Sequence, residues 1–453
     1  MKIVALLAVC VSLAATVAPP PAPPRRPLPY PRSKFIAGLE WTGAPSRYPG
    51  TGSDMHWYTW GRDDALYVID DDGANFGGPA NYAHLLRITG VPPHHRVETV
   101  TDFTGYDFRS QIPTDRLVRR YVNGVLAVDS TLYVCLYDYD WEIPSKIYDR
   151  ADLSRRIREF NPWHDLDSTV GTNMGFIDGF SKNGGIAALI RSTDGGKTWD
   201  NLPTPTTPQF LGPRFAGMSF LTWGPGYTRT PPDLAGYVYG ISNDGNWESG
   251  DHVFAARAPR NDVLNRARWE FFAGFGPQNR PRWTKREADA RPIFSDPGHV
   301  GHPTMSYNPA LKRYLLMVYS DVVPHREDAP PAERKQWDFA SELQVYESPT
   351  PFGPWALVHD EAPWGGPDHS CYLGQMPTKW LSADGLQVGH GHVRGGLREP
   401  AGRVLRPDDP ALPAAAALRV VLFFSETVSQ PIPTTGPFSP THEPRFPEKR
   451  NRR

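Results

Sequence analysis

Apolar and polar positions alternate along this chain in short runs, and each run ends in a polar or acidic turn. The clearest copies are LYVIDDDG from Leu66, LYVCLYDYD from Leu132, GYVYGISNDG from Gly236, YLLMVYSD from Tyr314 and VVLFFSE from Val420. A partner run precedes each copy: DMHWYTWGRDDA, RYVNGVLAVDS, FAGMSFLTWGPG, TMSYNPALKR and MPTKWLSADG. A period of two, β-branched and aromatic content and turn residues between the runs predict five hairpins. A second pattern, in AALIRSTDGGKTW, LQVYESPTPFGPW and HVFAARAPRNDVLNRARW, is a strand, a turn and a tryptophan that opens the next strand. Hairpin plus strand-turn-Trp strand makes a four-stranded antiparallel sheet. Repeated at irregular spacing, such sheets predict an all-β fold, a five-bladed β-propeller, over a two-sheet sandwich. The fifth blade lacks downstream strands, and KFIAGLEW near the amino end is expected to close the ring as its outer strand.

The boundaries follow from composition. Residues 1–18 carry one lysine and an apolar run from Ile3 to Val17, which reads as a secretory signal peptide. Cys10 in LAVC resembles a lipoprotein signal, but Val9 stands where a small residue is usual. A proline-rich linker, 19–33, leads into one propeller domain, 34–430, and a proline-rich basic tail, 431–453. The segment GHGHVRGGLREPAGRVLRPDDPALPAAAA reads as a surface insertion in the fifth hairpin. Beyond the signal no run is long and apolar enough to span a membrane.

Charge narrows the partners. Lys+Arg 48 against Asp+Glu 49 gives a net charge of -1, so nucleic acid is not expected. The 14 Trp, 19 Tyr and 21 Phe suit strand packing and also suit stacking on sugar rings. Cys135 and Cys371 remain after cleavage and could pair or stay as buried thiols. No N-x-[ST] sequon is present. A monomer is expected.

RSTDGGKTWD from Arg191 fits S-x-D-x-G-x-T-W, the Asp box of sialidases and many other propellers. It falls in the turn between strands three and four, at the outer rim of a blade and away from the mouth. Asp194 is expected to accept turn amides there, with Trp199 packing inward. A sialidase would also need a cluster of arginines and a Tyr/Glu pair, which the sequence does not assemble.

The hairpins themselves point to chemistry. The residue opening strand one and the residues ending strand two meet at the same end of a blade. In blade one these are Asp54 and the trio Asp70, Asp71 and Asp72. Glycoside hydrolysis asks for two such carboxyl groups, one a protonated acid and one a base or nucleophile. A solvated acidic turn is the alternative. The same rule puts Trp57, Asp138, Asp140, Trp141, Asn243, Asp244, Trp247, His299, His302, Asp321, Gln375 and Glu426 at the mouth as substrate-binding candidates. His299 and His302, and likewise His390 and His392, lack partners in register for a catalytic metal, so neither metal nor cofactor is expected.

The segments SDMHWYTWGRDDALYVIDDDG, GISNDGNWESGDHVFAARAPRNDVLNRARWEFFAG, MSYNPALKRYLLMVYSD, SPTPFGPW and MPTKWLSADG resemble secreted five-bladed propellers long catalogued as a domain of unknown function. The resemblance runs from about Ser53 to Glu426. Some relatives in that group are endo-D-arabinanases, inverting hydrolases in which two aspartates of the first blade act as base and acid. It therefore implies Asp54 as base and Asp72 as acid, with Asp70 and Asp71 as further candidates because IDDDG offers three. A non-catalytic carbohydrate-binding propeller and, behind it, a sialidase-like enzyme are the competing readings.

Overall fold

In a computed structural model, the described residues are 27–41, 54–73, 81–92, 94–103, 106, 108, 119–139, 183–215, 217–244, 250–324, 339–362, 364, 373–388 and 416–420. They form an all-β propeller arrangement whose main sheets are antiparallel. After β1 (Ile36–Trp41), the first sheet runs β2 (Asp54–Trp60), β3 (Leu66–Gly73), β4 (Asn81–Thr89) and β5 (Arg96–Asp102). The second holds β6 (Arg119–Val128), β7 (Thr131–Tyr139) and β8 (Asn183–Ser192).

The third sheet is larger. It contains β9 (Ser219–Phe220), β10 (Tyr237–Asn243), β11 (Gly250–Pro259), β12 (Glu270–Phe275), β13 (Pro281–Thr284) and β14 (Pro292–Val300), the last pairing with β11 beyond the reach of β12. The fourth is β15 (Thr304–Asn308), β16 (Arg313–Pro324), β17 (Phe339–Ser348) and β18 (Ala356–Glu361). Four antiparallel sheets thus follow in chain order, and the first four expected pairings are present. Sequence patterning missed β13 and β14, which lie in a stretch broken by prolines and charges.

Among the described residues four antiparallel sheets stand where five blades were expected, with one small sheet besides. The SADG turn of MPTKWLSADG joins Leu381 to Val388 by a local bridge, with Ser382 N donating to Gln387 O at 2.8 Å, and of VVLFFSE only Val420 is among the described residues. β19 (Gln387–Val388), β20 (Ala416–Val420) and β1 then make a three-stranded sheet in which β20 runs parallel to both neighbours. KFIAGLEW sits at the edge of this sheet and pairs with β20, whose last residue, Val420, opens the VVLFFSE run. Of the insertion, residues 389–415 lie outside the described residues, and its last two alanines, Ala416 and Ala417, open β20.

Polar contacts between inner strands close the ring. The segment Leu373–Pro377 lies between β15 and β2: Thr304 Oγ1 donates to Gly374 O, Ser306 Oγ to Met376 O at 2.7 Å, and the Gln375 amide faces the Tyr58 backbone. Hydrophobic clusters fill the spaces between sheets, the largest centred on Trp223, Trp269, Phe271 and Tyr346. The end of the segment read as a linker also packs on the domain. Tyr30 stacks on Phe294 with ring centroids 4.9 Å apart, and Pro31 and Ser33 exchange backbone hydrogen bonds with Leu357 at 2.8 Å. Aromatic burial explains why this end of a proline-rich stretch is held.

The S-x-D-x-G-x-T-W turn ties blade two to blade one. Asp194 accepts from Lys197 N, Thr198 N, Thr198 Oγ1 and Ser192 Oγ, which holds its carboxyl well below the usual range. Gly195 and Gly196 take φ of 76° and 95°, values that favour glycine. Trp199 Nε1 donates to Thr101 Oγ1 of β5 at 3.2 Å, and that hydroxyl in turn donates to Gly196 O. The fourth strand expected after Trp199 reduces to one bridge, Arg191 with Asp200, because prolines follow from Pro203. Replacing Thr101 with Val, of similar shape, leaves the buried Trp199 N–H without its acceptor. The expected loss is about 1–3 kcal/mol, read from the urea midpoint.

Candidate functional site

Equivalent strands in successive blades run the same way, so one end of every sheet faces one side of the ring. In blade one that end is where β2 begins and β3 finishes, opposite the Gly61–Ala65 turn. The register pairs Asp54 with Asp71 and then shifts before Trp57 pairs with Ile69. The extra residue is a bulge at Met55–His56, and Met55 holds φ at 52° although it is buried. A bulky non-glycine residue in the left-handed region is costly, and bulges concentrate where a strand end must be re-aimed.

Beneath this bulge lies a carboxylate–histidine cluster. Asp70 is fully buried, and its Oδ1 accepts from His84 N at 2.9 Å and contacts His84 Nδ1 at 3.0 Å. Its Oδ2 lies 3.9 Å from His56 Nε2. Burial lowers the His56 pKa, and the pull of Asp70 opposes this only in part. A buried carboxylate persists only with donors around it, and His84 of the neighbouring strand is within hydrogen-bond distance through its backbone N and its ring.

Toward the axis, Trp57 and Tyr137 flank His302, with ring centroids 5.8 and 6.0 Å from the imidazole. Gly217 comes so close that a Cβ there would sit 2.9 Å from the His302 ring and 3.0 Å from Asn243 Oδ1. Asn243 Nδ2 donates to Val300 O at 3.3 Å. Burial alone pushes His302 down to about 3, so the ring is neutral at ordinary pH.

Between blades three and four, His299 Nδ1 of β14 lies 2.5 Å from Glu342 Oε1 of β17, and Ser320 Oγ donates to the same oxygen at 2.8 Å. Ser320 and Glu342 are direct partners across β16 and β17, at the end away from the β15–β16 turn. This is the same side of the ring as Asp70.

The sequence-derived candidates distribute as follows. Asp70, Trp57, Asn243, Asp244, His299 and His302 stand at this side or at the axis. Asp244 accepts from Asp251 N at 3.0 Å, and Gln375 is used on the Tyr58 backbone. Asp54, Asp71, Asp72, Asp138 and Asp321 have described strand positions, but their side chains lie outside the described residues. Trp141, Trp247, Asp140, Glu426, His390, His392 and Cys371 lie outside them altogether; Cys135 is a buried free thiol whose pKa burial raises. His84, Ser320 and Glu342 were missed. The hairpin rule considered strands one and two, yet strand three starts at the same mouth; extending the rule to β4 and β17 finds His84 and Glu342.

Among the described residues no group of three or more His, Cys, Asp or Glu side chains is arranged to hold a metal ion, and no helix is long and apolar enough to cross a membrane. Arg120, at the start of β6, is buried and gives its two amino groups to Thr204 O and Thr207 O at 2.9 and 3.2 Å.

The buried His302 makes stability pH-dependent. Unfolded, its pKa returns to about 6.5, so the unfolded chain takes up a proton that the folded ring refuses. Its contribution to stability is therefore complete above about pH 6.5 and falls as the pH drops toward 3, at up to about 1.4 kcal/mol per unit. Urea unfolding of wild type and His302→Gln from pH 7.5 to 4 should show a shallower slope in the variant; parallel slopes would clear His302 of the effect.

Comparison with known proteins gives a family match over part of the chain. Residues 162–356, spanning blades two to four, match the family described as "Domain of unknown function (DUF4185)". No curated protein matches the chain. Among solved structures, a candidate hydrolase from Bacteroides ovatus is similar at 12% identity and TM-score 0.42, over 77% of this chain and 79% of that one. A GH43_1 enzyme from Xanthomonas citri, complexed with xylotriose, is similar at 10% identity and TM-score 0.34, over 69% and 74%. The alpha-L-arabinofuranosidase of Podospora anserina in complex with cellotriose is similar at 10% identity and TM-score 0.32, over 72% and 75%.

Proposed function

We propose that the chain is a secreted glycoside hydrolase acting on polysaccharide at the mouth of blade one, with the small parallel sheet serving as the remnant of a fifth blade. The observation that carries the reading is the strand end itself: a bulge with a left-handed Met55, set over the buried Asp70–His84 pair, where Asp54 and Asp71 are cross-strand partners. Such a construction spends backbone strain to aim the start of β2.

In this reading Asp54 is the general base. It takes a proton from a water that attacks the anomeric carbon, while a protonated acid gives its proton to the departing glycosidic oxygen. Asp72 is the acid that the family resemblance favours, and Asp71 is the one that the register favours. Asp70 is too enclosed by His84 to meet substrate and instead supports the strand end. Inversion asks for roughly 6.5–9.5 Å between the working carboxyl groups, room enough for the water. The signal-like amino terminus suits an extracellular polymer as substrate.

The test is incubation of the mature protein with a panel of polysaccharides that includes D-arabinan, scored by released oligosaccharides. Wild type should release products, and Asp54→Asn should lower the rate by about a hundredfold or more. Of Asp71→Asn and Asp72→Asn, the acid is the one whose loss is partly restored on substrates with a good leaving group. Retention on a glycan without any cleavage would replace this reading with a carbohydrate-binding propeller.

A further inference from the structure

The outer rim of blade three is the hairpin β12–β13, with β13 at the sheet edge. β12 is antiparallel to β11 and so runs with β10, which brings the hairpin tip, Gly276–Arg280, to the mouth side of the ring. Its backbone is strained. The register shifts between Phe272 and Phe275, Gly274 takes φ of 86°, and at the tip Gln278 and Asn279 hold φ of 60° and 54° in succession. Two consecutive non-glycine residues in the left-handed region are costly, and such strain collects at binding and switch segments. Backbone bonds from Gly276 N to Arg280 O at 2.8 Å and from Arg280 N to Pro277 O at 3.3 Å keep the tip closed.

Three exposed arginines, Arg280, Arg282 and Arg291, gather on this hairpin. A Cβ at Gly274 would sit 3.9 Å from Arg282 Nη2 and 4.0 Å from Arg291 Cγ, so the two side chains flank one point, and Arg282 Nη2 donates to Ala273 O at 3.2 Å. Other cations of the blade face carboxylates: Arg266 meets Glu287, Arg268 meets Asp262, Lys285 meets Glu270 and Arg286 meets Asp289. Among the described residues the three arginines are in no ion pair, although the chain as a whole has a net charge of -1. Beside them Phe275 is 44% exposed, its ring set T-shaped on Phe272 with centroids 5.2 Å apart. We propose that this hairpin docks the protein on an anionic phospholipid surface, with the arginines on lipid phosphates and Phe275 entering the layer beneath them. Guanidinium groups match phosphate oxygens in pairs. An apolar ring without a polar handle gains by leaving water for the acyl boundary, which a soluble polyanion does not offer. The attachment is peripheral and reversible, and it turns the mouth toward the surface. It does not depend on the reaction assigned to blade one.

The experiment is co-sedimentation of the mature full chain with vesicles of phosphatidylcholine alone and of phosphatidylcholine mixed with phosphatidylglycerol. Wild type should bind the mixed vesicles, leave the neutral ones in solution, and release as salt rises. At roughly fivefold per arginine, the combined Arg280→Gln, Arg282→Gln and Arg291→Gln variant should bind about a hundredfold more weakly. Phe275→Ser should cost about tenfold. Arg268→Gln, which removes one cation that already faces a carboxylate, should bind as wild type does. All these side chains are exposed, and thermal unfolding checks that each variant keeps its fold. Equal binding to both kinds of vesicle, or to neither, overturns the proposal. So does an undiminished hold by the triple variant, which would assign the binding to the basic tail 431–453. Capture on immobilised polygalacturonate that needs the arginines but not Phe275 would also overturn it, and would give the hairpin to an acidic polysaccharide instead.

Discussion

Everything in this fold depends on closing a ring of sheets whose inner edges would otherwise be open. A sheet edge carries unpaired backbone groups, and a propeller satisfies them by packing each inner strand against the next. Here the closing piece is the segment Leu373–Pro377, too irregular to be a strand. Side chains do the pairing instead: Gln375 presents its amide to both backbone groups of Tyr58, and Thr304 and Ser306 reach the carbonyls of Gly374 and Met376. Trp380 then packs under Leu66, Val68, Leu86 and Ile88, joining the last part of the chain to blade one.

That closure sets where charge can be buried. The described mouth holds carboxylates of two kinds, those enclosed by histidine and those at strand ends facing turn amides. Asp70 with His84, within blade one, and Glu342 with His299, between blades four and three, repeat one device: a carboxylate on one strand and the Nδ1 of a histidine from another. Each carboxylate gains donors that offset its lost hydration, and each histidine gains a fixed orientation. The device matters at a mouth, where chemistry needs side chains that do not wander.

The rim follows a different logic. Asp194 is saturated by four donors from its own turn, and Trp199 reaches across to Thr101, so this motif couples blade two to blade one on the side away from the carboxylate clusters. Its resemblance to a sialidase signature is a matter of turn chemistry. Arg120 likewise gives its two amino groups to backbone carbonyls, those of Thr204 and Thr207.

The sequence by itself determined the all-β class, the first four strand pairings and the chemistry of the Asp194 turn. Those depend on alternation over a few residues and on turn types that local sterics dictate. The hairpin rule expected Asp70, His299 and His302 at the mouth, because an antiparallel hairpin brings its two free ends together wherever it folds. Tertiary structure alone decided the rest. Which nitrogen of His299 meets Glu342 depends on two strands far apart in sequence. The Met55 bulge and the partnership of Tyr30 with Phe294 were equally silent, since strain and distant aromatic contacts leave no period in the chain.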